Sequence, residues 1–440
     1  MTQHHHIRYI LPLSCLLVSL GACKKFLAID PIPSQLSASQ IFSSDTSATA
    51  AIEGLYSQIM ESEETIFNGG VTVLAGLSSH ELQRTSYSDV ESLFRSDSLT
   101  SANPDLGKIY GNAYRYIAQA NADIYGLTMY GGTSPAVRAQ LLGEARFVRA
   151  FCYFYLINLF AAVPLDTISD YPQNSQGLPV PASTIYSYIE RELTNAEGLL
   201  STSYAIGKAG GIDRSRPNRW TAYALAARVA LYRSDWALAE SLSDTVIGSG
   251  AYTLAVRLDS VWEATSPETI WQMQPVSIQT NTAEGYLFIP SSDSTQPPTY
   301  VLDSTLLQSF EAGDQRKVHW IGTKTVAGVP YYYPYKYKVR SGGSPYREYN
   351  VVFRLAEQYL IRAEARLQQG NIGGALADLN LIRARAGLPP LLASLDQVQC
   401  LAAIQRECWA EFFAEWGHHW LDLKRWGLVT FDPDYPLPAQ

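Results

Sequence analysis

Apolar residues recur at helical spacing along most of this chain. Nine segments carry them at intervals of three and four positions, which is the pattern of amphipathic or buried helices. We predict helices near residues 46–60, 105–128, 135–160, 183–200, 217–233, 236–248, 352–369, 373–386 and 396–416. The sequence therefore predicts a mainly α-helical protein.

Two long excursions, at residues 62–104 and 250–350, interrupt the helical pattern. Both are rich in Ser, Thr, Gly, Pro and aromatic residues, and we expect short strands at Thr269–Met273 and, from alternating Tyr and Lys, over 331–339. Irregular segments on a rigid scaffold often carry binding residues. We therefore expect the functional site on the excursions.

An internal repeat lies within the helices. The pattern Tyr-x3-Ala-x11-Ala occurs twice, beginning at Tyr223 and at Tyr359. A large residue followed at these intervals by small ones is the tetratricopeptide pattern, in which small residues let two antiparallel helices pack closely. Because about three repeats are needed for a stable stack, the earlier helices are expected to be degenerate copies. The fold predicted is a helical repeat scaffold, or α-α superhelix, with loop and short-strand excursions.

The first residues read as a secretory leader. Arg8 precedes an uncharged, largely apolar run, and the small residues Gly21 and Ala22 lie directly before Cys23. This arrangement resembles a bacterial lipobox, so we expect residues 1–22 to be removed and Cys23 to be acylated, with palmitate among its chains. Such a protein is anchored to a membrane without spanning it. The alternative is an ordinary leader with an incidental cysteine.

Composition and charge narrow the functional classes. The chain is 47% hydrophobic, which is ordinary for a globular protein, and its net charge of −8 argues against a nucleic-acid partner.

The uncharged run Ala150–Leu165 is shorter than the roughly 20 residues that a spanning helix needs, so we interpret it as buried. Cys152, Cys400 and Cys408 are odd in number and lie in apolar stretches, which favours buried free thiols.

No catalytic, metal or cofactor motif is found in the sequence. His418 and His419 are adjacent, and neighbours on a helix do not share a face, so they make a poor metal pair. Charged side chains near the C-terminus are interpreted as structural ion pairs, with carboxylates for glycosidic cleavage as the alternative: Glu411, Glu415, Asp422 and Arg425. Nearby aromatics at helical spacing are interpreted as a buried stripe closing the last repeat: Trp409, Phe412, Phe413, Trp416 and Trp420.

Several segments, in order along the chain, resemble the RagB/SusD family of Bacteroidetes outer-membrane lipoproteins. They are the lipobox with Cys23-Lys24-Lys25-Phe26-Leu27, the segment 143–150 with the aromatic helix to Pro164, the repeat 359–388, and the segment 415–426. The sequence departs from the family pattern at His419, where the family usually has Arg. An ion pair local to that helix end is therefore in question.

The resemblance implies a tetratricopeptide scaffold on the outer face of the outer membrane. It also implies a SusC-like TonB-dependent transporter as partner, whose mouth the lipoprotein covers as a hinged lid. The ligand implied is usually a glycan and less often a peptide. We divide the chain into a leader, a tether at 23–45, an N-terminal region at 46–250 and a C-terminal region at 251–440, the last two forming one interleaved fold.

The chain is 12% aromatic and contains 28 Tyr. Sugar rings stack their apolar faces on aromatic side chains, and a polar tip suits such a wet site. We select four aromatics of the excursions as candidate ligand contacts: Tyr87, Phe94, Tyr286 and Trp320. The hypothesis is a non-catalytic lipoprotein that captures an oligosaccharide and passes it to the transporter. The alternatives are a surface glycoside hydrolase and a tetratricopeptide adaptor that binds other proteins.

Overall fold

The computed structural model describes residues 36–61, 65–96, 98–167, 177–206, 212–277, 279–292 and 295–429. The predicted leader, Cys23 and the first part of the predicted tether lie outside the described residues. Within the described ranges, no helix has both the length and the apolar character needed to cross a membrane.

Helices dominate the architecture. They are α1 Ala38–Ile41, α2 Asp45–Glu61, α3 Gly70–Ser78, α4 Ser92–Arg95, α5 Pro104–Met129, α6 Pro135–Phe160, α7 Ala182–Leu199, α8 Arg219–Tyr232, α9 Trp236–Gly248, α10 Ala283–Phe288, α11 Ser304–Ser309, α12 Gln315–His319, α13 Leu355–Gln368, α14 Ile372–Arg385, α15 Gln397–Phe412 and α16 His418–Arg425. The strands are β1 Leu82–Arg84, β2 Val163–Pro164, β3 Pro179–Val180, β4 Ala205–Ile206, β5 Ile212–Asp213, β6 Thr269–Met273, β7 Tyr300–Leu302, β8 Ile321–Val326, β9 Val329–Pro334 and β10 Asn350–Arg354.

The strands form five antiparallel pairs in the described residues, β1–β7, β2–β3, β4–β5, β6–β10 and β8–β9. The long helices follow their predicted bounds closely, and capping residues fix the starts of several of them. The side chain of Asn103 accepts from the first turn of α5, where Pro104 needs no partner for a backbone N–H. Asn218 and Asp396 form capping boxes at the starts of α8 and α15.

The two predicted repeats pack directly against each other. Helices α8 and α9 form the first unit, α13 and α14 form the second, and α9 contacts α13. The small residues of the repeat pattern are fully buried at 0% exposure: Ala227, Ala239, Ala363 and Ala375. The second excursion is thus inserted between two units that are neighbours in space. This confirms the mainly α, tetratricopeptide-like scaffold, with α5, α6 and α7 continuing the stack.

The predicted tether is shorter than expected. Helix α1 lies within it, because Ser37 and Gln40 form a capping box at its start. The following residue Phe42 is buried against α5, where a Cβ on Gly126 would lie 2.0 Å from its ring. Glycine at position 126 is therefore what lets this segment dock.

The helix predicted to reach residue 416 ends earlier, at Phe412. Ala414, Trp416 and Gly417 adopt positive φ angles of 49°, 49° and 69°. Two buried side chains of the first excursion hold this turn, since Glu81 accepts from the N–H of Ala414 at 3.0 Å and Thr72 from that of Trp416 at 3.1 Å. The aromatic stripe is therefore divided among α15, the turn and α16. Its burial is confirmed for Phe412, Phe413 and Trp416, and Trp409 and Trp420 are half-buried.

The strand at Thr269–Met273 is confirmed as β6, but its partner β10 occupies residues that were predicted to begin a helix. The predicted strand 331–339 is observed as β9, which ends at Pro334, and Lys336 beyond it is buried in the core. Helix α3 was missed: all nine of its residues are buried, so it has no polar face to give a helical period. Cys152, Cys400 and Cys408 are buried free thiols, as predicted.

Candidate functional site

The two excursions meet in the β1–β7 pair. Leu82 lies opposite Leu302 and Arg84 opposite Tyr300, and the backbone N–H of Thr85 continues the ladder to Thr299 at 3.0 Å. Strand β9 and helix α10 both lie against β7. We call this surface the excursion seam. It is formed by β1 and the segment that follows it up to residue 91, together with β7, β9 and α10.

A half-buried hydrogen-bond network fixes the β1 side of the seam. The Tyr300 hydroxyl donates to Glu91 at 3.0 Å, and the same carboxylate pairs with Arg84 at 2.5 Å. Arg95 donates to the carbonyl of Leu82 at 2.7 Å and pairs with Asp303 at 3.2 Å. The segment between Arg84 and Glu91 is thus held at both ends.

Tyr87 lies in this held segment and points into solvent, with 84% of its surface exposed. A hydrogen bond to the Asp89 carboxylate, and the charge of that group, raise the pKa of Tyr87 above its ordinary value. The side chain is neutral at pH 7 and offers an open ring face beside a carboxylate.

Tyr286 lies in α10 and is half-buried. The Arg340 guanidinium lies over its ring, 4.3 Å from the centroid. The close packing of α10 against the segment that carries Arg340 depends on Gly285, because a Cβ there would lie 2.5 Å from the carbonyl oxygen of Val339. Tyr286 is therefore a ring with one face already covered by a cation.

The β8–β9 hairpin adds an aromatic residue that the sequence reasoning missed. It is Tyr332 of β9, which is 39% exposed. Tyr333, in contrast, lies over Gly322, where a Cβ would be 2.3 Å from its ring. Strand alternation places neighbouring side chains on opposite faces, which was the signal available in the sequence.

Phe94 and Trp320 do not line this surface. They are 2% and 0% exposed. The Trp320 indole N–H donates to the carbonyl of Leu258 at 3.0 Å, and its ring lies 5.0 Å from the Lys336 ammonium. The structure therefore places Tyr87 and Tyr286 at the seam and the other two aromatics in the core, where neither ring has an open face for a sugar.

The C-terminal carboxylates form buried ion pairs, as the sequence analysis predicted. Glu411 contacts Arg354 at 2.5 Å and Arg316 at 3.0 Å, and it also pairs with Arg385. Although burial opposes ionisation, these guanidinium groups hold the pKa of Glu411 well below its usual range. Glu415 pairs with Arg354 at 2.9 Å and with Lys336.

His418 and His419 lie against different aromatic rings. The His419 ring stacks on Trp409 at 4.5 Å, and the His418 ring stacks on Phe412 at 4.6 Å. Burial lowers the pKa of His419 to about 4, so it is neutral at pH 7. Arg425 still makes the ion pairs of this helix end, with Asp422 at 2.7 Å and Glu364 at 2.5 Å. No group of three or more His, Cys, Asp or Glu side chains suited to a metal occurs among the described residues.

Comparison with known protein families gives two matches. Residues 35–231 match the family described as starch-binding and associating with the outer membrane, and residues 304–436 match the SusD family.

Two curated relatives have low sequence identity to this chain but align with most of its length. The chain is 23% identical to the SusD-like protein P25 of Formosa agariphila, covering 94% of this chain and 89% of that protein. It is 25% identical to the starch-binding protein SusD of Bacteroides thetaiotaomicron, covering 70% of this chain and 69% of that protein.

Solved structures show the same fold. A SusD superfamily protein of Bacteroides vulgatus superposes with a TM-score of 0.75 at 17% identity, covering 88% of this chain and 89% of that one. A SusD-like carbohydrate binding protein of Bacteroides fragilis gives a TM-score of 0.74 at 17% identity, covering 88% and 87%.

Proposed function

The chain belongs to the SusD/RagB family, and from this premise we propose that it is a non-catalytic lipoprotein of the outer membrane that binds an oligosaccharide at the excursion seam. Tyr87 and Tyr286 are the proposed aromatic contacts, with Tyr332 as a further ring on the neighbouring strand. The single observation that carries this proposal is the 84% exposure of Tyr87 on a segment held at both ends.

The chemistry of the seam supports a sugar ligand. An exposed aromatic ring binds the apolar face of a pyranose, and nearby carboxylate and guanidinium groups bond its hydroxyls. Tyr87 and Asp89 provide such a pair. The name of the Bacteroides thetaiotaomicron relative, a starch-binding protein, points to the same ligand class.

The proposal includes an anchor and a partner. Acylation of Cys23 would hold the chain on the outer membrane, facing the exterior, and a SusC-like TonB-dependent transporter would receive the oligosaccharide. Both features follow from the lipobox and the family resemblance.

A glycosidase is the less favoured alternative. General acid–base cleavage needs carboxyl groups within reach of the scissile bond. Glu411 and Glu415 are instead buried and ion-paired with arginine and lysine side chains. Their arrangement supports a structural role, and no observation in the described residues favours a protein-binding adaptor.

Two measurements test the proposal. A glycan array probed with residues 24–440 should show saturable binding, and Tyr87→Ala should reduce it. The protein extracted from native membranes in mild detergent should co-purify with a large TonB-dependent transporter. An array without any signal would contradict glycan binding, and a protein that elutes alone would contradict the transporter partnership.

A further inference from the structure

Arg340 is held in a fixed position by the second excursion. Its Nε donates at 2.9 Å to the carbonyl of Ile289, the residue that follows α10, while the guanidinium lies 4.3 Å from the Tyr286 centroid. A planar guanidinium that is stacked and hydrogen-bonded through Nε still has its two terminal nitrogens. These form a fork of N–H donors that can bind an acceptor with two oxygens.

The backbone around Arg340 is also fixed. The Glu348 carboxylate accepts from the N–H groups of Lys338 at 2.7 Å and Val339 at 3.0 Å. On the other side, Gly342 donates its N–H to the carbonyl of Gln279 at 3.1 Å. Glu348 is used in these backbone bonds and makes no ion pair with Arg340 among the described contacts.

Two buried arginines of the protein use their forks internally. Arg228 bonds both oxygens of Glu357, and Arg425 bonds both oxygens of Glu364. Arg340 makes no ion pair with any described carboxylate, although it is only half-exposed. Anchoring a side chain costs rotamer entropy, and here that cost is already met in the protein, so the positioned, unpaired fork is available to an external acceptor.

We propose that Arg340, stacked on Tyr286, recognises an anionic group on the bound oligosaccharide, either a uronic acid carboxylate or a sulfate ester. Both present paired oxygens that match a guanidinium fork. This inference rests on the proposed glycan-binding function and adds the charge of its ligand. Tyr286 then positions the cation, while Tyr87 supplies the open ring for stacking.

The net charge of the protein makes the inference testable through the salt dependence of binding. At a net charge of −8 the protein as a whole repels anions, so a preference for acidic glycans must come from a local cation. That local attraction is partly screened by salt. The preference should therefore weaken as ionic strength rises, and binding of the matching neutral glycan should not change.

The test uses residues 24–440 and matched pairs of probes in calorimetry. Oligogalacturonides are compared with their carboxyl-reduced neutral forms, and sulfated carrageenan oligosaccharides with their desulfated forms, which separates carboxylate from sulfate. We expect at least a ten-fold preference for one anionic form. The preference should be lost in Arg340→Gln, partly kept in Arg340→Lys and fully kept in Arg347→Gln, an exposed arginine of the same loop.

Melting temperatures of the variants exclude a folding defect. Equal affinity for the anionic and neutral forms, or a preference that survives in Arg340→Gln, would overturn the inference and leave glycan binding intact. Absence of binding to every glycan would overturn the proposed function together with it.

Discussion

Glu81 accepts a hydrogen bond from the backbone N–H of Ala414 at 3.0 Å, across 333 residues of sequence. Glu81 directly precedes β1, and its own carbonyl accepts from the N–H of Asp303 at 3.0 Å. One residue thus joins the C-terminal turn, the first excursion and the start of α11. Strand β1 of the seam is therefore fixed to the C-terminal end of the repeat scaffold, so the seam and the scaffold share one core.

Glu81 makes protein stability depend on pH. Burial raises the pKa of Glu81 from 4.5 to about 8, so the carboxyl group is protonated in the folded protein at neutral pH. Its contribution is complete below the unfolded pKa of 4.5 and is lost as pH rises toward 8. Between these values the free energy of unfolding should fall by about 1.4 kcal/mol per pH unit because of this group.

The variant Glu81→Gln tests this dependence, because glutamine still accepts from Ala414 but cannot ionise. Its free energy of unfolding relative to the native chain should rise between about pH 5 and about pH 8, as measured by urea denaturation. Glu61→Gln, at an exposed position, is the control and should follow the native profile. Parallel profiles for Glu81→Gln and the native chain would disprove the assignment.

Glu411 is predicted to be essential for stability rather than for chemistry. Replacing it with Gln leaves Arg316, Arg354 and Arg385 buried with less compensating charge. Breaking a buried pair on one side costs roughly 3–5 kcal/mol. Denaturant midpoints should show this loss, whereas Glu190→Gln, in an exposed pair with Arg233, should cost less than about 1 kcal/mol. A stable Glu411→Gln protein would indicate that the ion-pair network is not structural.

The four aromatics selected from sequence should separate into two classes. Trp320→Ala removes a fully buried ring and should cost roughly 3–5 kcal/mol of stability. Tyr87→Ala, at an exposed position, should change stability by less than about 0.5 kcal/mol. It should weaken glycan binding roughly ten-fold, as expected for loss of an aromatic contact. The assignment fails if Tyr87→Ala unfolds the protein or binds glycan normally.

The lipid anchor is tested at Cys23. In Cys23→Ala the chain has no thiol to acylate at that position, so it should move from the membrane fraction to the soluble fraction, and its lipid-modified mass should disappear. A Cys152→Ala variant is the matched control, since that thiol is buried in the body. Unchanged membrane retention of Cys23→Ala would contradict the lipobox interpretation.

The sequence predicted the scaffold well because its signals are local. Caps such as Asn218 and the apolar period of each long helix are visible in a short window. The repeat spacing from Tyr223 and Tyr359 then identified the two units that pack together. Family resemblance placed both on one fold.

The features that the sequence did not predict depend on contacts between residues that are far apart in the chain. The turn at Ala414 exists because Glu81 and Thr72 meet it in space, and no local pattern encodes that contact. Trp320 and Phe94 were chosen because they lie on an excursion, but burial depends on the packed fold. Arg340 was not singled out, since its stacking on Tyr286 appears only in three dimensions.

Calorimetric titration of residues 24–440 with oligosaccharides, beside the Tyr87→Ala/Tyr286→Ala double variant, tests the central claim most directly. The account predicts saturable binding by the native chain, at least ten-fold weaker binding by the double variant, and no new reducing ends after prolonged incubation. Binding that is unaffected by the double substitution, or steady release of shorter sugars from the bound glycan, would contradict it.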